Sequence, residues 1–383
     1  MGLRFYPEPS PDEKLIREHA RVCAQKYVMP YTILDDASGI FRREVFLNLA
    51  KEGLTSLLIP KKFGGQEQSY RCHFACLEEL ARYSVSQATV VAVTNLAQGA
   101  ICTFGTETQQ KTYLPRFTSG ELLGAFSLSE PGSGSDAAAL SLAAKRAPGG
   151  YLLNGMKAWC TNGGVADLYL MFVRTAPHKT KGITAFLIEK EFKGFHAGKE
   201  EKKLGVRSST LAQLILEDCF VPEENRLGAE GEGFHIALGT LDTGRLGMAA
   251  VGAGVTTEAI ERTWRFRTQQ EKLGQAFDRG EREILTDHFA QLQAVKGVID
   301  AAALLKDQQK PITLLASQAK LLSTDLAMKT TSDALTLMGP AGYCRDLEVE
   351  RMFRDAKALQ IVEGTNQVQR VILARQLEEM MST

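Results

Sequence analysis

Leu168-Tyr169-Leu170-Met171-Phe172-Val173 is a short apolar run rich in aromatic and branched side chains, and it reads as a β-strand. Its neighbours share that texture. Tyr151-Leu152-Leu153-Asn154-Gly155, Thr184-Ala185-Phe186-Leu187-Ile188 and the stretch 211–216 are runs of the same kind, set apart by glycine. Together they predict a β segment over residues 120–221. So many short strands at close spacing predict an antiparallel sheet or a small barrel.

Outward from this segment the pattern turns helical in both directions. Pro11-Asp12-Glu13 opens a helix running toward Tyr27, with Leu15, Ile16, His19, Val22 and Cys23 as its apolar stripe. Residues 42–52, 72–83 and 88–104 predict further helices, the last nearly all apolar and so expected inside. Pro60-Lys61-Lys62-Phe63-Gly64-Gly65 breaks the series. After Pro222, residues 233–274 predict one or two long helices, followed by 285–306, 311–337 and 362–381. The order is helical, then β, then helical, in one α+β chain divided at 1–118, 119–226 and 227–383.

Bulk properties bound the function. A chain of 383 residues can hold two or three domains. Lys plus Arg and Asp plus Glu balance at 45 each, so no single-sign field favours nucleic acid or an anionic membrane. An anionic ligand must therefore be met by local donors. No apolar run approaches bilayer-spanning length, so no membrane span is expected. The opening Met1-Gly2-Leu3-Arg4-Phe5-Tyr6 lacks the pattern of a targeting segment, and Tyr6 stands where myristoylation needs Ser or Thr. The seven cysteines are scattered and read as reduced thiols, which places the chain in the cytoplasm. His19, His73, His178, His196, His235 and His288 are too dispersed to suggest a metal site.

Four stretches have the residue types for chemistry. Phe126-Ser127-Leu128-Ser129-Glu130-Pro131-Gly132-Ser133-Gly134-Ser135-Asp136 is dense in glycine and hydroxyls, so its amides can approach a ligand closely; alone it reads more readily as a plain surface turn. Trp159-Cys160-Thr161-Asn162-Gly163-Gly164 offers a stacking face and a hydroxyl to a flat heterocycle, or a core Trp before a turn. Leu241-Asp242-Thr243-Gly244-Arg245 is either a solvent ion pair on a helix or a phosphate contact. In Ile361-Val362-Glu363-Gly364-Thr365-Asn366-Gln367-Val368-Gln369-Arg370, Thr365 or Gly364 can cap the last helix. Glu363 is there a solvated carboxylate or a general base raised by apolar surroundings.

These stretches, in this order, resemble the acyl-CoA dehydrogenase family. The matching blocks are Gly105-Thr106-Glu107, Tyr113-Leu114-Pro115, 128–136, 157–163, Lys203-Leu204-Gly205, 218–225, Gly233-Phe234, 241–245, Arg354-Asp355-Ala356-Lys357 and 363–370. The resemblance implies an N-terminal α-helical domain, a middle antiparallel β-barrel domain and a C-terminal four-helix bundle. It also implies FAD as cofactor, in a homodimer or homotetramer. It assigns Phe126, Leu128 and Ser129 to the isoalloxazine, Trp159 to one ring face and the Thr161 hydroxyl to N5. Gly339, Thr365 and Gln367 would complete the FAD site, and Ser135, Asp242, Arg245 and Gly364 the acyl-CoA site. Glu363 would be the base, its backbone N–H holding the thioester carbonyl. It would take the α-proton while the β-hydrogen leaves as hydride to flavin N5. Some relatives place the base just before the arginine, where this chain has Gly244, leaving Glu363 as the only candidate at either family position.

Three departures bear on the cofactor. The family's flavin-binding Arg-x-x-Phe-Gly falls on Gln270 to Gly274, with Gln270 for the arginine and Leu273 for the phenylalanine. The stretch after it, Gln275 to Glu283, is longer than the family's by two or three residues. Gln-x-x-Gly-Gly reads Thr336-Leu337-Met338-Gly339-Pro340. Arg267, Arg279 and Arg282 are candidates to replace the missing cation. The implied function is dehydrogenation of an acyl-CoA to the trans-2-enoyl-CoA, with an electron-transferring flavoprotein as acceptor. A carrier-protein-bound thioester and a non-catalytic acyl-CoA-binding role are the alternatives.

Overall fold

The computed structural model describes residues 8–382, so the N-terminal stretch 1–6 read above lies outside the described residues. Helix α1 (Pro11–Cys23) starts where the Ser10 hydroxyl accepts from the Glu13 amide and Pro11, having no N–H, needs no acceptor. It buries Glu13, Ile16, Ala20 and Cys23, whereas Leu15 and Val22 face solvent. The expected stripe is thus off by part of a turn. Glu13 turns inward because Arg17 and Arg71 both pair with it, at 3.1 Å each. A π turn (Ala24–Val28) leads to α2 (Thr32–Ser38), α3 (Arg43–Lys51), α4 (Tyr70–Tyr83), α5 (Val85–Phe104) and α6 (Glu107–Thr118). By length and composition α5 could cross a membrane, which corrects the expectation that no run reaches that length. However, 89% of its apolar window is buried, and it packs against α4, α6, α7 and the first strand.

The β segment holds β1 (Gly124–Ser127), β2 (Ala143–Ala147), β3 (Gly150–Thr161), β4 (Leu168–Arg174), β5 (Ile183–Glu189), β6 (Phe195–Glu200), β7 (Leu211–Pro222) and β8 (Arg226–Leu227). Every stretch read as a strand is one. The sheet is not a closed barrel, however: its path runs β6-β7-β3-β2-β4-β5-β8 and ends unjoined. Nor is it wholly antiparallel. β1 runs parallel to β4, as the long excursion through β2 and β3 between them permits. β2 meets β4 only at the single parallel pair Ala143–Arg174, which leaves a seam beside the 128–142 loop.

The remaining helices are α7 (Gly233–Lys272), α8 (Arg279–Asp307), α9 (Thr313–Met338), the short α10 (Pro340–Tyr343), α11 (Val349–Leu359) and α12 (Asn366–Met381). Residues 233–272 form one unbroken helix, and α11 is a helix the sequence reading left unassigned. α7 packs against α9, α8 and α4, while α12 lies along α9 and buries only Asn366 and Gln369. Gly254 lets α4 come so close that a Cβ there would stand 2.2 Å from the Glu78 carbonyl oxygen. The two helical ends of the chain therefore share one core, with Leu77 and Leu80 beside Leu246, Val251, Leu292 and Met352.

Candidate active site

The 126–130 stretch leaves β1 and is pinned from β3. Lys157 is fully buried, and its Nζ donates to the Leu128 carbonyl at 3.0 Å and to Glu130 Oε1 at 2.9 Å. Glu130 also accepts from the Ser141 and Leu142 amides, and Ala158 N donates to the Ser129 carbonyl. This clamp sets Phe126, Leu128 and Ser129 beside the end of β3. Ser135 lies farther out, on the exposed turn.

At that end the β3–β7 register slips between Lys157 and Cys160, and Trp159 takes φ +52° with 52% of its surface exposed. A bulky aromatic in the left-handed region is an outlier, and bulges of this kind re-aim side chains at sites. Trp159 is not the core tryptophan of the bland reading. Two residues on, Thr161 lines a cleft together with Thr89, residues 203–206 and 209–211, and Arg354, Lys357, Leu359, Ile361 and Val362. The cleft's own volume is about 240 Å³, close to the lower end of the roughly 300–1,000 Å³ of small-molecule sites, and it opens to solvent. Thr89 Oγ1 and Thr210 Oγ1 are buried there with no hydrogen-bond partner. Unanswered buried hydroxyls, an exposed ring face and an apolar lining fit a flat heterocycle with polar edges, and so fit FAD. Sequence reasoning missed the contributions of Thr89 and residues 203–211. The matching block Lys203-Leu204-Gly205 marked the place without a role. Gly205 is required there because a Cβ would meet the Arg354 carbonyl oxygen at 2.2 Å.

Glu363 follows Val362 out of this cleft. Its φ is +54° and that of Gly364 is +86°, two successive left-handed residues. Its N–H makes no hydrogen bond among the described residues and remains a free donor. Its Oε2 is buried without a partner, and its carboxyl sits directly over Gly244, where a Cβ would be 2.5 Å from Oε2 and 2.9 Å from Cδ. Burial pushes the Glu363 carboxyl up to about 7, opposed by the cations of Arg245 and Lys320. The carboxyl is thus desolvated, not the solvated carboxylate that the sequence also allowed. Thr365 caps α12, its hydroxyl oxygen accepting from the Val368 amide at 3.2 Å, and Gln367 is exposed on the first turn.

Asp242 and Arg245 do pair, at 2.6 Å, yet not in open solvent: Arg245 is 5% exposed and its Nε has no partner. Thr313 Oγ1 donates to the other Asp242 oxygen at 2.6 Å. Gly339 stands apart from this centre, at the end of α9, with φ +57° and open space where a Cβ would be. Near the departures, Leu273 is 72% exposed and Phe277 is buried in its stead, edge-on to Trp264. The three replacement cations are already engaged: Arg267 by Glu281 at 2.7 Å, Arg279 by Glu283 at 2.6 Å and Arg282 by Glu271 at 2.8 Å.

All seven cysteines are free. One histidine does lie among other possible ligands, since donor atoms of His19, Cys23 and Glu52 are within 4.8 Å of one another. These donors are taken up among themselves. The His19 ring meets the Glu52 carbonyl oxygen at 3.1 Å, Tyr27 donates to Glu52 Oε1 at 2.8 Å, and burial raises the Cys23 thiol to about 11.

Models of the acyl-CoA dehydrogenase N-terminal, middle and C-terminal domains match residues 10–121, 125–219 and 231–378. The chain is 37% identical to an acyl-CoA dehydrogenase of Bacillus subtilis, over 96% of this chain and 98% of that one. It is 36% identical to a short-chain specific acyl-CoA dehydrogenase of Clostridium acetobutylicum, over 95% and 97%. A solved structure described as the electron transferring flavoprotein of Acidaminococcus fermentans contains a chain that superposes with a TM-score of 0.95. That match has 35% identity and covers 97% of this chain and 99% of that one. The chain belongs to the acyl-CoA dehydrogenase family of FAD-dependent enzymes.

Proposed function

We propose that this enzyme desaturates a short-chain acyl-CoA between the α and β carbons, with Glu363 as the base. The observation that carries the reading is Glu363 Oε2: buried, unpartnered, and seated over Gly244 beside the cleft. A thioester α-proton is a poor acid, so its removal needs a positioned base and a donor for the charge growing on the carbonyl oxygen. Glu363 Oε2 supplies the first and the free Glu363 N–H the second. Bound FAD supplies the acceptor that takes the β-hydrogen as hydride. Trp159, Thr161, Phe126, Leu128 and Ser129 would hold its ring, and Gly339, Thr365 and Gln367 its other parts. Asp242, Arg245, Ser135 and Gly364 serve the substrate. Arg245, being buried and ion-paired, acts on charge inside the site as well as on the CoA portion.

The short-chain preference is carried over from the Clostridium relative, and an electron-transferring flavoprotein as acceptor from the Acidaminococcus structure. The exposed Leu377 and Met381, one turn apart on α12, give an apolar face suited to a second copy of the chain. The test is anaerobic bleaching of the flavin by butyryl-CoA, longer acyl-CoAs and a butyryl carrier protein. Bleaching fastest with butyryl-CoA supports the reading. Bleaching only by the carrier-bound substrate moves the function to carrier thioesters, and no bleaching by any overturns dehydrogenation.

A further inference from the structure

Lys320 lies within a buried stretch of α9, beside Ala316, Ser317, Ala319, Ser323 and Thr324, and has no exposed surface. Nothing in the proposed reaction uses it. A buried ammonium is retained only where hydrogen bonds and charge hold it. Its Nζ donates to the Gly364 carbonyl oxygen at 2.8 Å and to Asn366 Oδ1 at 2.7 Å. Gln369 Nε2 donates to the same Gly364 oxygen at 2.8 Å. Asn366 is fixed in turn, its Nδ2 donating to Thr324 Oγ1 at 2.9 Å and to Asp325 Oδ1 at 2.6 Å, and its N–H to the Gln360 carbonyl at 2.9 Å.

All these bonds converge on the residues that follow Glu363. A glutamate at φ +54° is held against its own backbone preference, so the surrounding structure must determine the turn. The strongest charge-assisted bond on that turn comes from Lys320. We infer that Lys320 is the positioning residue of the catalytic loop: its ammonium locks the Gly364 carbonyl, and with it the Glu363-Gly364 turn, and supplies positive charge to the Glu363 carboxylate. This rests on Glu363 being the base.

The charge balance supports the second half of that role. The cations facing Glu363 are Arg245 from α7 and Lys320 from α9. Arg245 is already paired with Asp242 at 2.6 Å. Lys320 makes its hydrogen bonds to a carbonyl and a side-chain amide, both neutral, and the anions acting on it are Glu363 and, more weakly, Asp325. Each of the two groups favours the charged form of the other, and burial disfavours both.

The experiment compares the FAD-loaded parent with Lys320→Met and Lys320→Arg, following anaerobic flavin reduction by butyryl-CoA as a function of pH. In Lys320→Met the limiting rate falls about ten- to a hundredfold through loss of orientation. Its acid limb also moves to higher pH by about one unit, because a cation that favoured the carboxylate is gone. Lys320→Arg keeps the limb in place but loses rate, since the guanidinium cannot reproduce both bonds. A Lys320→Met enzyme with full flavin content, the parent's limiting rate and the parent's acid limb overturns the inference. A merely structural tie would lower flavin content or melting temperature and leave the limb unmoved, which also overturns it. If Lys320→Met does not fold, Lys320→Arg decides, and an undiminished rate overturns it. If no acyl-CoA reduces the parent, the functional reading has failed separately. Crystal structures of the parent and Lys320→Arg then judge the positioning role, and an undisturbed Glu363-Gly364 turn rejects it.

Discussion

Gly244→Ala puts a methyl group where the Glu363 carboxylate now rests. A Cβ on the Gly244 backbone would stand 2.5 Å from Oε2, 2.9 Å from Cδ and 3.5 Å from Cγ of Glu363. Ordinary carbon–oxygen contacts are roughly 3.3–3.6 Å, so Oε2 must retreat by about 1 Å. Its side chain is flexible and can yield, so the fold should survive. Alanine's better helix propensity offsets part of any crowding by about 0.5–1 kcal/mol. Catalysis is less tolerant. Displacing a reacting group by about 1 Å costs on the order of a hundredfold, or about 2.7 kcal/mol in the barrier. The assay is anaerobic stopped-flow reduction of the bound flavin by butyryl-CoA, with flavin content and melting temperature measured on the same preparations. Gly247→Ala is the internal control on the same helix. There an added Cβ meets Leu77 Cδ1 at 3.6 Å and Ala92 Cβ at 3.8 Å, ordinary contacts, so rate and flavin content should match the parent. A Gly244→Ala enzyme reducing its flavin within about threefold of the parent would show that Glu363 does not act from this position.

Glu363→Gln should keep the flavin spectrum while reduction slows by roughly 10²–10⁴, the worth of a positioned general base; near-parental reduction would remove Glu363 from that role. The pH profile follows from the same group. Burial raises the Glu363 carboxyl to about 7, and only the carboxylate accepts a proton. Hence kcat/KM should rise with pH up to about 7 and fall about tenfold per unit below it; a level profile through the acid side contradicts a buried base. Arg245→Ala should raise KM for the CoA substrate and also move this limb to higher pH, because a cation facing Glu363 is lost; an unmoved limb with raised KM would confine Arg245 to binding. FAD retention should be weak for the family, because Gln270 replaces an arginine and Arg267, Arg279 and Arg282 are engaged by carboxylates. In titrations of stripped protein, Gln270→Arg should bind FAD about ten- to a hundredfold more tightly, the worth of one charge-assisted bond. No gain in the mutant, with nanomolar affinity in the parent, would mean that another donor serves.

What could be read from residues alone was what is local. Strand texture found β3, β4, β5 and β7, and capping chemistry found α1 and the Thr365 start of α12, because those signals lie within a few neighbouring residues. Closure of a barrel is decided by pairing between strands far apart in the chain. β1 chose the distant β4 in parallel, and no alternation pattern announces such a partner. α11 was in fact legible: Val349, Met352, Ala356 and Leu359 recur at helical spacing and form its buried face, while its polar members meet neighbours, Arg354 pairing with Asp36 at 2.7 Å and Asp355 accepting from the Val206 amide at 2.5 Å.

The site divides along the same line. Glu363, Trp159 and Thr161 announced themselves by residue type beside glycines, where backbone freedom and function coincide. In the sequence alone, Gly244 is only a position unable to serve as a base. Its positive role, leaving room for a carboxylate that arrives from residue 363, needs the contact of α7 with the loop before α12. Lys320 carried a faint signal, a lysine among Ala316, Ser317, Ala319, Ser323 and Thr324 where a buried face would otherwise stay apolar or small. That signal says that a charge is buried, not what it answers. Its meaning depends on the carbonyl of Gly364, and carbonyls are invisible in a sequence because every residue has one. The parts of this site that do chemistry are side chains of distinctive type. The parts that aim them are backbone atoms, vacancies and charges brought in from other helices, and these are what folding reveals.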